Sequence, residues 1–183
     1  MTEAPRILEL TVGAIAAGGG CVGRADDGRV VFVRHSLPGE RVRAVVTGEA
    51  KSYLRADALT VLDPSPDRVT PPCPHAGPGR CGGCDWQHVS SAAQRRLKAD
   101  LISEQLRRIA GVSVVPEVEA VDSGQGERWR TRVRFGVDES GRPGLRKHRS
   151  HEIELVDECL IATAEVEAAG VAGLDWPGCE EIE

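Results

Sequence analysis

Cysteines are the residues of this 183-residue chain whose spacing most clearly points to chemistry. Cys73, Cys81 and Cys84 lie close together, and Cys159 follows much later. The two glycines between Cys81 and Cys84 let the chain curl so that both sulfurs point toward one centre. Four thiolates can bind a tetrahedral zinc ion or the irons of a [4Fe–4S] cluster. The spacing leaves both open and modestly favours the cluster, because structural zinc sites usually contain two close cysteine pairs.

Disulfides and buried free thiols are the other interpretations of these cysteines. The N-terminus has no secretory hydrophobic stretch, and cytosolic thiols stay reduced, so we do not expect disulfides. Cysteines in a proline-rich loop are also unusual as core residues. His75 and His88 are nearby as alternative ligands, but four cysteines already complete a set. Cys21 and Cys179 have no partner at metal-binding spacing, and we expect them to be structural.

A second chemical pattern is a run of arginines at every other position. A β-strand there would carry the arginines on one face and the apolar residues on the other, and the next segment adds more cations. An RNA backbone would neutralise such a surface, and the release of condensed counterions would favour binding. The residues predicted to contact RNA are Arg128, Arg130, Arg132, Arg134, Arg146, Lys147 and Arg149.

The charges are distributed unevenly along the chain. The net charge is −5, yet residues 1–151 contain all 23 basic residues and 18 acidic ones. Residues 152–183 contain 10 acidic residues and no lysine or arginine. Such asymmetry indicates two functional regions. It also supplies the alternative to RNA binding, which is that the arginines pair with the acidic residues that follow them.

The residues before the cysteines predict a small β-barrel. Residues 7–63 contain short β-branched or alternating stretches that are separated by turn signals such as Gly18-Gly19-Gly20 and Pro38-Gly39. This pattern is typical of a small barrel or sandwich, and an OB-like fold reaches this size.

The residues after the barrel predict a loop and one helix. Residues 63–88 carry six prolines and cannot form a regular element, so we expect the cysteines to staple them. Residues 90–110 have the apolar stripe of a helix, with a capping box at Ser91 and Gln94 and a C-terminal cap at Gly111.

A β-hairpin is predicted from the alternation of residues 127–137 and 152–156 around a turn at Ser140-Gly141. Residues 162–173 predict a short helix. The expected fold class is therefore mainly β with an α+β second part, in which an OB-like barrel precedes a stapled helix and hairpin.

This sequence resembles the bacterial uracil-5 RNA methyltransferases over nearly the whole chain, and motifs in two regions carry the resemblance. Their iron–sulfur loop is similar to Cys73-Pro74-His75 and Cys81-Gly82-Gly83-Cys84-Asp85-Trp86-Gln87-His88. Their fourth cysteine also follows a hairpin, as Cys159 does here. Their TRAM domain, an OB-like RNA-binding barrel, is similar to Gly18-Gly19-Gly20, Val31-Phe32-Val33, Leu37-Pro38-Gly39-Glu40 and Pro64-Ser65-Pro66-Asp67-Arg68.

The resemblance implies a [4Fe–4S] cluster, rather than zinc, on Cys73, Cys81, Cys84 and Cys159. It also implies rRNA or tRNA as the partner. The family's catalytic half, a Rossmann-like domain that binds S-adenosylmethionine and supplies a nucleophilic cysteine, cannot be placed in this sequence, and Cys179 does not match that nucleophile. We assign no catalytic residue and expect this chain alone to be inactive as a methyltransferase.

The resemblance also implies a division of the chain into three parts. They are a TRAM barrel over 1–63, an iron–sulfur loop with the helix and basic hairpin over 64–161, and an acidic segment over 162–183 that leads to a methyltransferase domain. No apolar run is long enough for a membrane span, so we expect a cytoplasmic protein. We also expect it to be a monomer. Two alternatives stay open, a free-standing RNA-binding iron–sulfur module and a redox or electron-transfer iron–sulfur protein.

Overall fold

The computed structural model describes residues 4–121 and 126–183. The chain forms two compact units whose sequences interleave, one of Met1–Thr70 with His88–Ala120 and one of Pro71–Gln87 with Val121–Glu183. The helix after the cysteine loop is therefore grouped with the barrel strands, and the cysteine loop is grouped with the later sheet. The boundaries predicted after residues 63 and 161 stay predictions.

The first unit contains a five-stranded sheet in the order β1-β4-β5-β3-β2, in which only β3 and β5 run parallel. Just after β1, Gly13 N–H donates to the Val22 carbonyl (2.7 Å) and Val22 N–H donates to the Ala14 carbonyl (2.9 Å), which brings the chain after β1 back onto β2. The predicted barrel-like, mainly β unit is confirmed. Its strands are β1 (Ile7–Thr11), β2 (Cys21–Arg24), β3 (Val30–Arg34), β4 (Arg41–Glu49) and β5 (Tyr53–Asp63).

Alternating side chains explain how these strands enclose a core. In β3, Val31 and Val33 are fully buried, whereas Phe32 between them is only half-buried. Successive side chains of a strand point to opposite faces, so Phe32 lies on the outer face. Cys21 is a buried core residue, as predicted. The core is aliphatic apart from that thiol and consists of Leu10, Val12, Cys21, Ala25, Val31, Val33, Val42, Ala44, Leu54, Ala56 and Ala58.

One fully buried carboxylate, that of Glu40, ties the first unit together. It accepts hydrogen bonds from the backbone N–H groups of Leu37 (2.8 Å) and Ser65 (3.0 Å) and from the guanidinium of Arg68 (2.6 Å). Arg68 also donates to the His35 carbonyl (2.9 Å). Burial alone would raise the pKa of Glu40, but the hydrogen bonds from Arg68 and the two N–H groups hold it below its usual value. Glu40 thereby joins the turn before β4 to the loop after β5.

The predicted helix is confirmed as α1 (Ser91–Gln105), which continues as a π-helical turn over Leu106–Ala110. It ends at Gly111, whose φ of 66° is the left-handed conformation that glycine adopts most easily. The N-cap is Ser90 rather than the predicted Ser91, and its hydroxyl accepts from the backbone N–H three residues later. In the part of the chain that the structure describes, no helix is long and apolar enough to cross a membrane.

The second unit contains an antiparallel four-stranded sheet in the order β8-β7-β6-β9. Its core consists of Val133, Phe135, Leu145, Val156, Cys159, Ile161 and Ala162. Its elements are β6 (Phe135–Val137), β7 (Pro143–Arg146), β8 (Ile153–Leu155), α2 (Ala164–Ala168), a 3-10 turn (Val171–Gly173) and β9 (Glu181–Ile182).

The predicted hairpin is instead a three-stranded meander, and its first strand is shorter than predicted. The strand begins only at Phe135, because Arg128 has a φ of 55° and Arg130 forms a parallel bridge with Ala162. The prediction of one continuous strand over residues 127–137 is therefore wrong. Alternation holds from Arg132 onward, where the arginines are exposed and Val133 and Phe135 are buried.

The turn predicted at Ser140-Gly141 is confirmed between β6 and β7. The carboxylate of Asp138 accepts hydrogen bonds from the hydroxyl of Ser140 (2.6 Å) and from the backbone N–H groups of Ser140 and Arg142 (2.9 Å each). These bonds lower the pKa of Asp138 to about 2, and the bond from the Ser140 hydroxyl has the largest effect.

Candidate metal centre

The four cysteines of the predicted metal site line one cavity in the second unit. Cys73, Cys81 and Cys84 come from the proline-rich loop, and Cys159 comes from the segment between β8 and α2. The backbone N–H of Cys159 donates to the carboxylate of Glu167 on α2 (3.1 Å), which fixes that segment. The fold therefore gathers around one cavity four sulfurs that are far apart in the sequence.

Main-chain contacts hold the cysteine loop against the end of β7. Cys81 forms an antiparallel bridge with Lys147, and Gly82 N–H donates to the Arg146 carbonyl (3.0 Å). A Cβ added to Gly82 would lie 2.7 Å from the Cα of His148. Real Cβ atoms do not approach backbone atoms this closely, so the loop can dock here only because residue 82 is glycine.

A side-chain contact links the same loop to β8. Nδ1 of His75 lies 3.1 Å from Oε1 of Glu154, and Nε of Arg80 donates to the same oxygen (2.9 Å). Burial would raise the pKa of Glu154, but its hydrogen bonds with His75 and Arg80 lower it. His75 thus lines the cavity with one ring nitrogen directed at a carboxylate.

The other residues that the sequence singled out near the cysteines lie elsewhere. His88 belongs to the first unit, where it is buried with Nε2 3.5 Å from the Ser36 carbonyl. Burial raises the pKa of Cys21, in the barrel core, to about 11. Cys179 is exposed rather than packed.

The chemistry of the cavity is that of a thiolate site. Burial raises the pKa of Cys81 and of Cys84, so in the protein alone both groups favour the neutral thiol, and a bound cation would be needed to stabilise the thiolates. Among the residues that the structure describes, no three or more His, Cys, Asp or Glu side chains are gathered as a single-ion site. A cavity lined by four cysteines, several apolar groups and a few polar side chains offers the thiolate donors that an iron–sulfur cluster needs.

The predicted RNA-binding residues also lie in the second unit, and most of them are in ion pairs. The carboxylates come from the acidic segment 152–183, which is the alternative that the sequence left open. The pairs are Arg128–Glu158 (3.3 Å), Arg132–Glu183, Arg134–Glu181 (3.2 Å), Arg146–Glu181 (3.6 Å) and Lys147–Glu152 (3.0 Å). Exposed pairs of this kind contribute only ~0–1 kcal/mol, so an RNA phosphate could replace the carboxylate.

Aromatic residues on the outer face of the first unit are a feature that the charge pattern did not reveal. The rings of Phe32 on β3 and Tyr53 on β5 meet edge to face at 5.6 Å, and the guanidinium of Arg55 lies 4.9 Å from the centre of the Tyr53 ring. Aromatic rings beside an arginine are suited to stacking with bases. The alternation of Val31 and Val33 around Phe32 was the sequence signal that could have placed this ring outside.

Comparison with known proteins identifies the first unit's barrel. A family model for the TRAM domain matches residues 5–59. These residues form a TRAM domain. The TRAM domain ends before α1 and the cysteine loop, so all four cavity cysteines lie outside it.

Relatives of the chain extend the similarity beyond the TRAM domain. The chain is 53% identical to a Streptomyces coelicolor protein named an uncharacterized RNA methyltransferase, over 96% of this chain and 41% of that protein. It is 41% identical to the 23S rRNA (uracil(1939)-C(5))-methyltransferase RlmD of Halomonas elongata, over 84% of this chain and 32% of that enzyme. The TRAM-containing chain is thus homologous to RNA methyltransferases of the uracil-5 family, and spans about two fifths of their length or less.

A solved structure with the same fold is that of the Pyrococcus abyssi tRNA (uracil-54, C5)-methyltransferase in complex with S-adenosyl-L-homocysteine. The TM-score is 0.56 at 24% sequence identity, and the match covers 88% of this chain and 34% of that one. The likeness therefore extends beyond the TRAM domain into the part of the chain that follows it.

Proposed function

We propose that this chain is the RNA-recognition part of an S-adenosylmethionine-dependent RNA (uracil-5)-methyltransferase that acts on rRNA or tRNA. Support comes from the TRAM domain at residues 5–59 and from the homology to RNA methyltransferases over 96% of the chain. We assign methyl transfer to the part of those relatives that this chain does not span. No catalytic residue is proposed here.

We further propose that Cys73, Cys81, Cys84 and Cys159 hold a [4Fe–4S] cluster. The observation that supports this most is their convergence on one cavity from two distant parts of the sequence. In such a cluster each thiolate binds a different iron, so the sulfurs surround a cavity rather than meet at a point. The cluster would act as a covalent cross-link between the proline-rich loop and the segment after β8.

The cross-link would serve RNA recognition by fixing the basic end of the meander. The turn after β7 carries Lys147 and Arg149, and the cysteine loop docks on its backbone through Cys81 and Gly82. Stapling that loop to Cys159 would hold the turn in one orientation. Because the second unit is small and short of aromatic residues in its core, such a staple would contribute much of its rigidity.

We propose that RNA contacts each unit separately, the second unit through Arg128, Arg132, Arg134, Arg146, Lys147 and Arg149 and the TRAM domain through its aromatic patch. Phosphates would compete with the exposed carboxylates that now pair with the arginines. Phe32 and Tyr53 would stack with unpaired bases. Such a surface predicts an affinity that falls steeply with salt, by a slope of about 0.7–0.9 in log affinity against log salt concentration per phosphate contacted.

The test compares the anaerobically reconstituted chain with Cys84→Ser, using a labelled uridine-containing RNA hairpin and a salt titration. Cys179→Ser is the matched control, because Cys179 is exposed and does not line the cavity. We expect salt-dependent binding by the wild type and by the control, and weaker binding by Cys84→Ser. Equal binding by a folded, iron-free Cys84→Ser would refute the staple, and absence of salt-dependent binding by the wild type would refute RNA recognition.

A further inference from the structure

We propose that Arg130 is a counter-ion of the cysteine-bound cluster rather than an RNA contact, and that it tunes the stability and the reduction potential of that cluster. The inference rests on the proposed cluster. It separates Arg130 from the other arginines with which the sequence grouped it, because its side chain has a different environment.

The backbone of Arg130 is fixed beside the segment that carries the fourth cysteine. Its N–H donates to the Ile161 carbonyl (2.7 Å), and its carbonyl accepts from the N–H of Thr163 (3.0 Å). These bonds make the parallel bridge to Ala162 that interrupts the predicted strand. Arg130 therefore cannot follow the outward alternation of Arg132, and it is half-buried.

The side chain of Arg130 lines the cavity together with the four cysteines. The position that a Cβ on Gly83 would take lies 3.5 Å from Sγ of Cys81 and 3.8 Å from Nη1 of Arg130, so the sulfur and the guanidinium both lie close to Gly83. Nε of Arg130 donates to the Arg132 carbonyl (3.1 Å), and this hydrogen bond restrains the orientation of the guanidinium.

The guanidinium of Arg130 differs from its neighbours in having no carboxylate partner within residues 4–121 and 126–183. Arg128, Arg132 and Arg134 each pair with a glutamate. The other charged groups of the cavity wall are committed elsewhere, since Glu158 pairs with Arg128 and His75 contacts Glu154. Among the described residues of the cavity wall, Arg130 is therefore the charged residue that remains able to interact with the sulfurs.

The chemistry of a thiolate-bound cluster explains what such a cation would do. Four thiolates make the cluster an anion, and the potential of a cluster depends on net charge, hydrogen bonding and exposure. Reduction adds a further negative charge in a setting of low polarity, where a neighbouring cation interacts strongly. Arg130 would thus stabilise the bound cluster and raise its reduction potential.

The experiment compares reconstituted wild type, Arg130→Met and Arg130→Lys, with Arg142→Met as the matched control. Arg142 is an exposed arginine of the same unit that pairs with Asp138 and does not line the cavity. The readouts are iron and sulfide per chain, the midpoint potential, the rate of iron loss to a chelator, and the salt slope of binding to the labelled RNA hairpin.

We expect Arg130→Met to lower the midpoint potential and to speed iron loss several-fold, and we expect Arg130→Lys to restore both. Arg142→Met should match the wild type, and the salt slope of Arg130→Met should be unchanged. The inference is overturned if Arg130→Met has the potential and iron-loss rate of the wild type. It is also overturned if the salt slope falls by about 0.7–0.9, which is the signature of a lost phosphate contact.

Two further outcomes are distinguishable from these. If Arg130→Met loses iron and Arg130→Lys does not restore it, the side chain acts by packing rather than by charge, and the inference is overturned. If the wild-type chain binds no iron, the cluster proposal is refuted, and so is the inference about Arg130 that rests on it.

Discussion

At the scale of single residues, the buried carboxylate of Glu40 connects two backbone N–H groups and the guanidinium of Arg68 in the first unit. Replacing it with alanine would leave the guanidinium of Arg68 without its carboxylate and two backbone N–H groups without an acceptor. We expect Glu40→Ala to lower the free energy of unfolding by about 3–5 kcal/mol. Glu9→Ala is the control, because its exposed pairs with Arg41 and Arg43 should be worth at most ~1 kcal/mol. Urea denaturation of both variants measures the difference.

The lowered pKa of Glu40 also predicts a pH dependence. A carboxyl group with a folded-state pKa below the unfolded value of about 4.3 contributes stability above that value, and the contribution disappears as the pH falls through the folded-state pKa. The gap in unfolding free energy between wild type and Glu40→Gln should therefore be largest near neutral pH and shrink below pH ~4. A gap that stays constant between pH 7 and pH 3 would contradict this assignment.

Single residues were also where the sequence was most informative. The cysteines were identifiable because thiols at such spacing have few other uses, and the structure places all four around one cavity. The pairing of Glu40 with Arg68 could not be predicted, because neither spacing nor periodicity connects a turn before one strand with a loop after the next. Arg130 was grouped with its neighbours because an alternating pattern says nothing about a parallel bridge with Ala162.

At the scale of elements, docking of the cysteine loop depends on a glycine at position 82. We expect Gly82→Ala to prevent docking of the loop on the turn after β7, since its Cβ would lie 2.7 Å from backbone of His148. Gly173→Ala is the control, because a Cβ there would meet no atom within 4 Å and Gly173 does not line the cavity. Iron bound per chain after anaerobic reconstitution should fall in Gly82→Ala and stay near the wild-type value in Gly173→Ala. Equal iron in both variants would show that docking is not required.

Elements with a strong local signal were predicted well. The helix α1 and its cap at Gly111 follow from an apolar stripe and a glycine, and the turn at Ser140-Gly141 follows from turn-forming residues. The strand over residues 127–137 failed because strand pairing is decided by partners that lie far away in the sequence. The alternating pattern predicted the buried and exposed faces correctly only near Val133 and Phe135, which belong to the core.

At the scale of the whole molecule, the acidic segment and the arginines are coupled rather than independent. Glu181 and Glu183 pair with Arg132, Arg134 and Arg146 within the second unit. In the proposed function, RNA would have to displace carboxylates from the same guanidinium groups that it would bind. The charge asymmetry predicted two functional regions, whereas the ion pairs show that the acidic region already occupies the basic one, so that it would compete with RNA.

This competition predicts that removing two carboxylates strengthens RNA binding. The double variant Glu181→Gln and Glu183→Gln keeps the backbone pairing of β9 and frees the arginines, so we expect a several-fold increase in affinity at low salt. Asp175→Asn with Glu180→Gln changes the net charge equally at residues that form no ion pair in the described chain. An equal increase in this control would attribute the effect to net charge alone.

The most direct test of the account is the metal content of the anaerobically purified chain, measured with its visible absorption spectrum. We predict about four irons and about four sulfides per chain, no zinc, and broad absorption at visible wavelengths. Cys159→Ser should lose this signal, because Cys159 is the one of the four cavity cysteines that comes from beyond β8. A folded wild-type chain that holds stoichiometric zinc, or no metal at all, would contradict the account.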